Sequence, residues 1–72
     1  MPTRQIIQKT RAQLHALCEQ VTAELGPLSE TTLTEMLHEA EDIRRRSAGT
    51  ERLAAEMVGA AAQVVLDERK GV

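Results

Sequence analysis

The chain contains no tryptophan, tyrosine or phenylalanine among its 72 residues. Without aromatic rings, a core lacks the side chains that bury the largest apolar areas. Leucine, isoleucine, valine, methionine and alanine must therefore supply it. A chain of this length makes one small domain, residues 1–72, and buries a modest share of its surface. Together these limits favour association with a second copy or with a partner protein.

Cysteine is almost absent as well, since Cys18 is the one cysteine of the chain. An intramolecular disulfide is therefore impossible. The first ten residues show no apolar run of the signal-peptide type, and a lone thiol is typical of a reducing compartment. We therefore expect a cytoplasmic location. No stretch approaches the ~18 consecutive apolar residues of a spanning helix, so no membrane partner is expected.

Basic residues are missing from a long central stretch of the chain. Residues 12–43 contain no lysine or arginine but seven acidic residues, whereas residues 1–11 hold three basic residues and no acidic one. The net charge is only −2. An uneven distribution of this kind says more about partners than the total charge does.

The remaining composition favours helices, and no run alternates with the period of two that strands require. Apolar residues at helical spacing predict a first helix over residues 3–25, with Thr3 as its N-cap. Gly26 is expected in a left-handed conformation that ends this helix, and Pro27 prevents its continuation.

A second helix is predicted over residues 29–47, with Ser29 as its N-cap. Leu33, Met36, Leu37, Ala40 and Ile43 form its apolar stripe. Because only a short turn separates the two helices, we expect them to form an antiparallel hairpin.

Residues 47–50 allow two architectures. The apolar phase continues through them, as one long helix would require, but Ser47 and Thr50 interrupt the stripe and Gly49 disfavours a helix interior. As a corner, Gly49 would end the second helix, and Thr50 with Glu51 would open a third over residues 51–70. The prediction is therefore an all-α three-helix bundle assembled as a dimer; the alternative is a hairpin of one short and one long continuous helix.

The third helix is apolar around most of its circumference, which is typical of a helix covered on several sides. The first two helices of so short a chain cannot easily surround it. We therefore predict that its apolar face contacts a partner helix, through the following residues: Leu53, Ala54, Met57, Val58, Ala61, Val64 and Val65.

Basic side chains suggest a second kind of site. In an antiparallel hairpin the basic residues of the first helix would lie near those at the end of the second, forming a possible anion or nucleic-acid contact. This cluster would comprise Arg4, Lys9, Arg11, Arg44, Arg45, Arg46 and Arg52. The acidic overall charge, the missing aromatic residues and the lack of a helix-turn-helix pattern weigh against nucleic-acid binding.

Two short spacings resemble metal-ligand patterns. His15 and Cys18 are three residues apart, but no further pair completes four ligands. Glu35 and His38 have the spacing found in di-iron bundles, but they lie off the apolar stripe. We expect no metal, no cofactor, no small-molecule substrate and no enzymatic activity.

The sequence thus predicts a non-enzymatic helical interaction module, such as a regulator, inhibitor, chaperone or adaptor. It would bind itself, as a homo-oligomer, or another helical protein through the third helix. The alternative is a nucleic-acid-binding regulator that uses the basic cluster.

Overall fold

The computed structural model describes residues 1–71 and shows three helices in that range. They are α1 (Pro2–Leu25), α2 (Glu30–Arg46) and α3 (Gly49–Lys70). The three helices pack against one another, and no strand occurs in the described range. The predicted all-α, three-helix architecture is confirmed, and the alternative of one continuous helix across residues 47–50 is not observed.

The ends of α1 differ in detail from the sequence expectation. Pro2 occupies the first helical position, where its fixed φ fits the helix and its missing N–H is not needed. Thr3 therefore lies inside the helix and does not cap it. Gly26 has φ −51° and ψ −44°, a right-handed conformation, so the prediction of a left-handed Gly26 was wrong. Its N–H still donates to the carbonyl oxygens of Thr22 and Ala23, which closes the last turn.

The start of α2 agrees with the sequence. The Ser29 hydroxyl accepts a hydrogen bond from the Thr32 N–H at 3.1 Å, so Ser29 is the N-cap. Glu30 places a negative charge in the first turn, and three arginines occupy the last turn. Both placements are favourable for the helix dipole.

The corner between α2 and α3 consists of Ser47 and Ala48, which are extended with ψ of 165°. Gly49 follows with φ +66°, a left-handed value that side chains other than glycine adopt at a cost. Gly49 is the first residue of α3, and α2 already ends at Arg46. The prediction that Gly49 ends the second helix was therefore wrong. Thr50 consequently lies within the first turn of α3.

The main packing partner of both other helices is α3, which contacts α2 extensively and α1 less so. Within residues 1–71, α1 and α2 are not packed along their lengths. The close antiparallel pair is thus α2 and α3, not α1 and α2 as the sequence suggested. Two hydrogen bonds fix this direction, because the Arg69 guanidinium near the end of α3 donates to the carbonyls of Gly26 and Leu28, just before α2.

The core lies between α3 and the ends of the other two helices around the turn. Among residues 1–71, Leu33 of α2 is the one large side chain with 0% exposure. Its buried neighbours come from α1 and α3: Leu25, Ala61, Ala62, Val65 and Leu66. This core is small and partly built from alanine, as the composition predicted.

Close approach of α2 and α3 is seen at Gly59, which faces Ala40. A Cβ built on Gly59 would lie 3.6 Å from the Ala40 Cβ, an ordinary van der Waals contact. We therefore expect Gly59→Ala to fit without displacement and to stabilise the fold by about 1 kcal/mol through helix propensity. Chemical denaturation followed by circular dichroism measures this; destabilisation would show that the two helices lie closer than described.

The N-terminal part of α1 extends beyond the core. Every residue from Met1 to Gln13 is exposed, and burial begins only at Leu14. The half-buried side chains that follow, Cys18 and Val21, lie on the face that leads to buried Leu25. We call residues 2–13 the arm, because they form an uninterrupted part of α1 that the rest of the chain does not cover.

Candidate protein interface

The seven residues predicted to contact a partner fall into two groups in the structure. Ala61 and Val65 are buried in the chain's own core, where they are not accessible to another molecule. The other five remain partly or fully exposed: Leu53, Ala54, Met57, Val58 and Val64. The chain thus covers part of the apolar circumference of α3 and leaves the rest at the surface.

One exposed part is a line of three side chains, Leu53, Met57 and Val64, which we call the α3 strip. Their spacing of four and seven residues places them on one side of the helix, since an α-helix has about 3.6 residues per turn. Leu53 and Val64 are each 45% exposed, and Met57 is half-buried. An exposed line of large apolar side chains at this spacing is the usual form of a helix-binding surface.

The second exposed part is an apolar groove between α2 and α3, close to the corner. It has a cavity volume of about 300 Å³ and is lined by Met36, Glu39, Ala40, Ile43, Glu51, Ala54, Ala55 and Val58. Most of its lining side chains are apolar, and each helix contributes one glutamate, Glu39 from α2 and Glu51 from α3. Ile43 is 40% exposed within it. The groove is uncovered because α1 does not pack along α2.

A third apolar surface lies on the arm, where Ile6 is 64% and Ile7 is 60% exposed. The sequence analysis assigned no partner contact to either residue, so this surface was missed. Ile7 precedes Leu14 by seven residues and continues the face that α3 covers further along. The one available signal was length, because the first predicted helix was longer than the second and so had residues to spare.

The predicted basic cluster is not assembled, since its assembly depended on α1 packing along α2. The arginines at the end of α2 pair with acidic residues of the same helix instead. Arg44 forms two hydrogen bonds to the Glu41 carboxylate, at 3.0 and 2.6 Å, and Arg45 donates to it at 3.2 Å. Arg46 pairs with Asp42 in the same way.

On α3, Arg52 Nε lies 3.4 Å from a Glu56 carboxylate oxygen. Four of the seven predicted anion contacts are thus engaged in ion pairs within their own helix. The remaining three, Arg4, Lys9 and Arg11, lie on the exposed arm.

Glu41 holds the centre of this ion-pair network. Hydrogen bonds from Arg44, together with its charge and that of Arg45, lower the pKa of Glu41 from 4.5 to about 2. The same carboxylate raises the pKa of Arg44 above its usual value. Glu41 therefore keeps its negative charge at pH values between 4.5 and about 2, where a glutamate without such partners is protonated.

A pH dependence of stability follows from this lowered pKa. Because the folded value lies below the unfolded one, Glu41 stabilises the fold fully above pH 4.5 and loses this effect as the pH falls towards 2. Wild type should melt above Glu41→Gln at pH 7, with a small difference because the Arg44–Glu41 pair is partly exposed to water. Thermal melts at several pH values should show this difference shrinking only below pH 4.5; a difference unaffected by pH would exclude the ionised network as its cause.

The two metal-like spacings have structural surroundings of their own. His15 Nε2 lies 3.0 Å from a Glu19 carboxylate oxygen on the exposed side of α1, whereas Cys18 is half-buried. Glu35 and His38 are both exposed on α2. Among residues 1–71, no three His, Cys, Asp or Glu side chains converge in a group that could hold a metal ion.

Comparison with known proteins gives no relative. No family model matches the chain, and no curated protein or solved structure is significantly similar to it. As far as residue 71, none of the helices combines the length and apolarity that crossing a bilayer requires.

Proposed function

We propose that this protein is a non-enzymatic interaction module that binds a helix, its own or that of a partner protein, through the apolar face of α3. The observation that carries the proposal is the α3 strip. Leu53 and Val64 are large apolar side chains that the chain's own fold leaves nearly half exposed. Covering such side chains removes apolar area from water, which contributes about 25 cal/mol for each Å² buried.

The surroundings of the strip support this proposal. The groove next to it widens the apolar surface on the same helix, and partly exposed Met36 and Met57 supply flexible side chains that adapt to a partner. A helix lying along α3 could contact the strip through residues spaced three and four apart.

Charge substitution tests the role of the strip. We expect Leu53→Asp and Val64→Asp each to weaken association at least about tenfold, because a carboxylate would lose its water in the contact. Gln63→Asp is the matched control, since Gln63 is exposed next to Val64 but points to another side of α3. Sedimentation velocity over a concentration series measures the change, and circular dichroism verifies that each variant stays helical.

Two outcomes would contradict the proposal. Association unchanged in Leu53→Asp and Val64→Asp would show that the α3 strip is not in the contact. An equal loss in Gln63→Asp would show that added negative charge, and not the position on the helix, weakens association.

A further inference from the structure

The arm and the groove are two unpartnered apolar surfaces of the same chain, and one is convex whereas the other is concave. The arm is a helix with an exposed apolar patch, formed by Ile6 and Ile7, whereas the groove is a cleft between two helices that is lined mainly by apolar side chains. We infer that the arm of one copy lies in the α2–α3 groove of a second copy, and that the contact is made twice in a symmetric dimer. This inference rests on the proposed function and names the partner as a second copy of this chain.

Charge complementarity selects this occupant. At about 3.6 residues per turn, Arg4 and Arg11 lie on one side of the patch formed by Ile6 and Ile7, and Lys9 lies on the other side. The arm contains no acidic residue. Each molecule therefore presents an arm with basic side chains on both sides of its apolar patch.

The groove carries negative charges, opposite in sign to those of the arm. Glu39 of α2 and Glu51 of α3 line it, and both are exposed. Neither forms an ion pair within residues 1–71, in contrast to Glu41 and Glu56. An arm lying between α2 and α3 would place basic side chains beside each glutamate. Complementary charges of this kind fix both the choice of partner and the register of the contact.

The direction of α1 favours a second molecule over the chain's own groove. The helix is continuous from Pro2 to Leu25, so the arm cannot turn independently of the part that packs on α3. Swinging the arm into the groove of its own chain would rotate Val21 and Leu25 out of their contacts with the core. Exchange between two copies keeps those contacts and covers both surfaces.

The contact is reciprocal, because each copy gives its arm to the other copy and receives the other's arm in its groove. Each copy offers one arm and one groove, so a two-fold axis satisfies both arms and both grooves within a pair of molecules. The expected product is a dimer rather than a fibre.

Charge reversal with mixing tests this arrangement. One variant carries Arg4→Glu, Lys9→Glu and Arg11→Glu in the arm; a second carries Glu39→Lys and Glu51→Lys in the groove. Each alone would set like charges against like charges at both contacts, so we expect self-association at least about 100-fold weaker than in wild type. Mixed in equal amounts, the two variants should form a heterodimer, because both contacts again join opposite charges.

A matched control separates this effect from overall charge. Glu24→Lys with Glu68→Lys adds the same charge as the groove variant, but both residues lie near the opposite end of the molecule, at the ends of α1 and α3. This control should self-associate like wild type, and it should pair with the arm variant no better than wild type does. Sedimentation equilibrium of each protein and each mixture gives the masses.

The outcomes distinguish this inference from the proposed function. A wild-type dimer that persists after charge reversal in the arm, or variants that stay monomeric when mixed, would overturn the arm exchange and leave binding through the α3 strip intact. A wild-type chain that remains monomeric at all concentrations would overturn the arm exchange and restrict the proposed function to the helix of a partner protein. Recovery of the dimer only in the mixture of arm and groove variants supports the exchange.

Discussion

Leu33→Ala should unfold the isolated chain. Leu33 is fully buried between the ends of α1, α2 and α3 and is the largest side chain with no exposure among the described residues. Removing a buried leucine side chain beyond Cβ costs ~2–5 kcal/mol, from lost transfer energy and the cavity that remains. A core of this size supplies about 3–5 kcal/mol in total, so the loss is comparable with the whole stability.

Urea denaturation followed by circular dichroism measures this loss. Leu53→Ala is the matched control, since it is the same chemical change at a position 45% exposed, and it should alter stability by less than about 1 kcal/mol at low protein concentration. Equal effects at the two positions would mean that Leu33 does not hold the three helices together.

Ala61→Glu should be at least as damaging, and Ala54→Glu nearly harmless. Ala61 is 4% exposed and belongs to the core, so a glutamate there would bury a carboxylate without a partner, at a cost of several kcal/mol. Ala54 precedes it by two helical turns on the same side of α3 but lies exposed at the groove. There the same substitution changes little beyond a few tenths of a kcal/mol in helix propensity.

Acidification sharpens this second comparison. Burial raises the pKa of a carboxyl group, so an Ala61→Glu chain should regain helical signal as the pH falls and the side chain becomes neutral. Far-ultraviolet circular dichroism of both variants between neutral and acid pH measures this. An Ala61→Glu chain as helical as Ala54→Glu at pH 7 would show that Ala61 does not belong to the core.

These two positions also show where sequence reasoning succeeded and where it stopped. The periodic apolar pattern predicted the helices, and the glycine and capping residues favoured a corner at residues 47–50 over one continuous helix, because helix period and capping chemistry are local properties. Whether Ala61 faces the core or a partner is not local. Both Ala54 and Ala61 fit the same stripe, and only the angles at which the helices pack determine which of them is buried.

The predicted hairpin of α1 and α2 failed for a related reason. The turn at residues 26–28 is short, which suggested that its two helices pack along their lengths. A short turn fixes the ends of two helices but not the angle between them, and Gly26 in a right-handed conformation prolongs the direction of α1 by one residue. The arm and the groove both result from that angle, so neither could be predicted from spacing alone.

The central claim is that one chain leaves its arm, its groove and its α3 strip uncovered, and that association covers them. The solution mass of the purified wild-type protein, measured by light scattering from dilute to concentrated samples at neutral pH, tests this most directly. The account predicts a mass that rises to twice the 7.9 kDa of the chain and then stays there. A constant mass of 7.9 kDa across the series would contradict it.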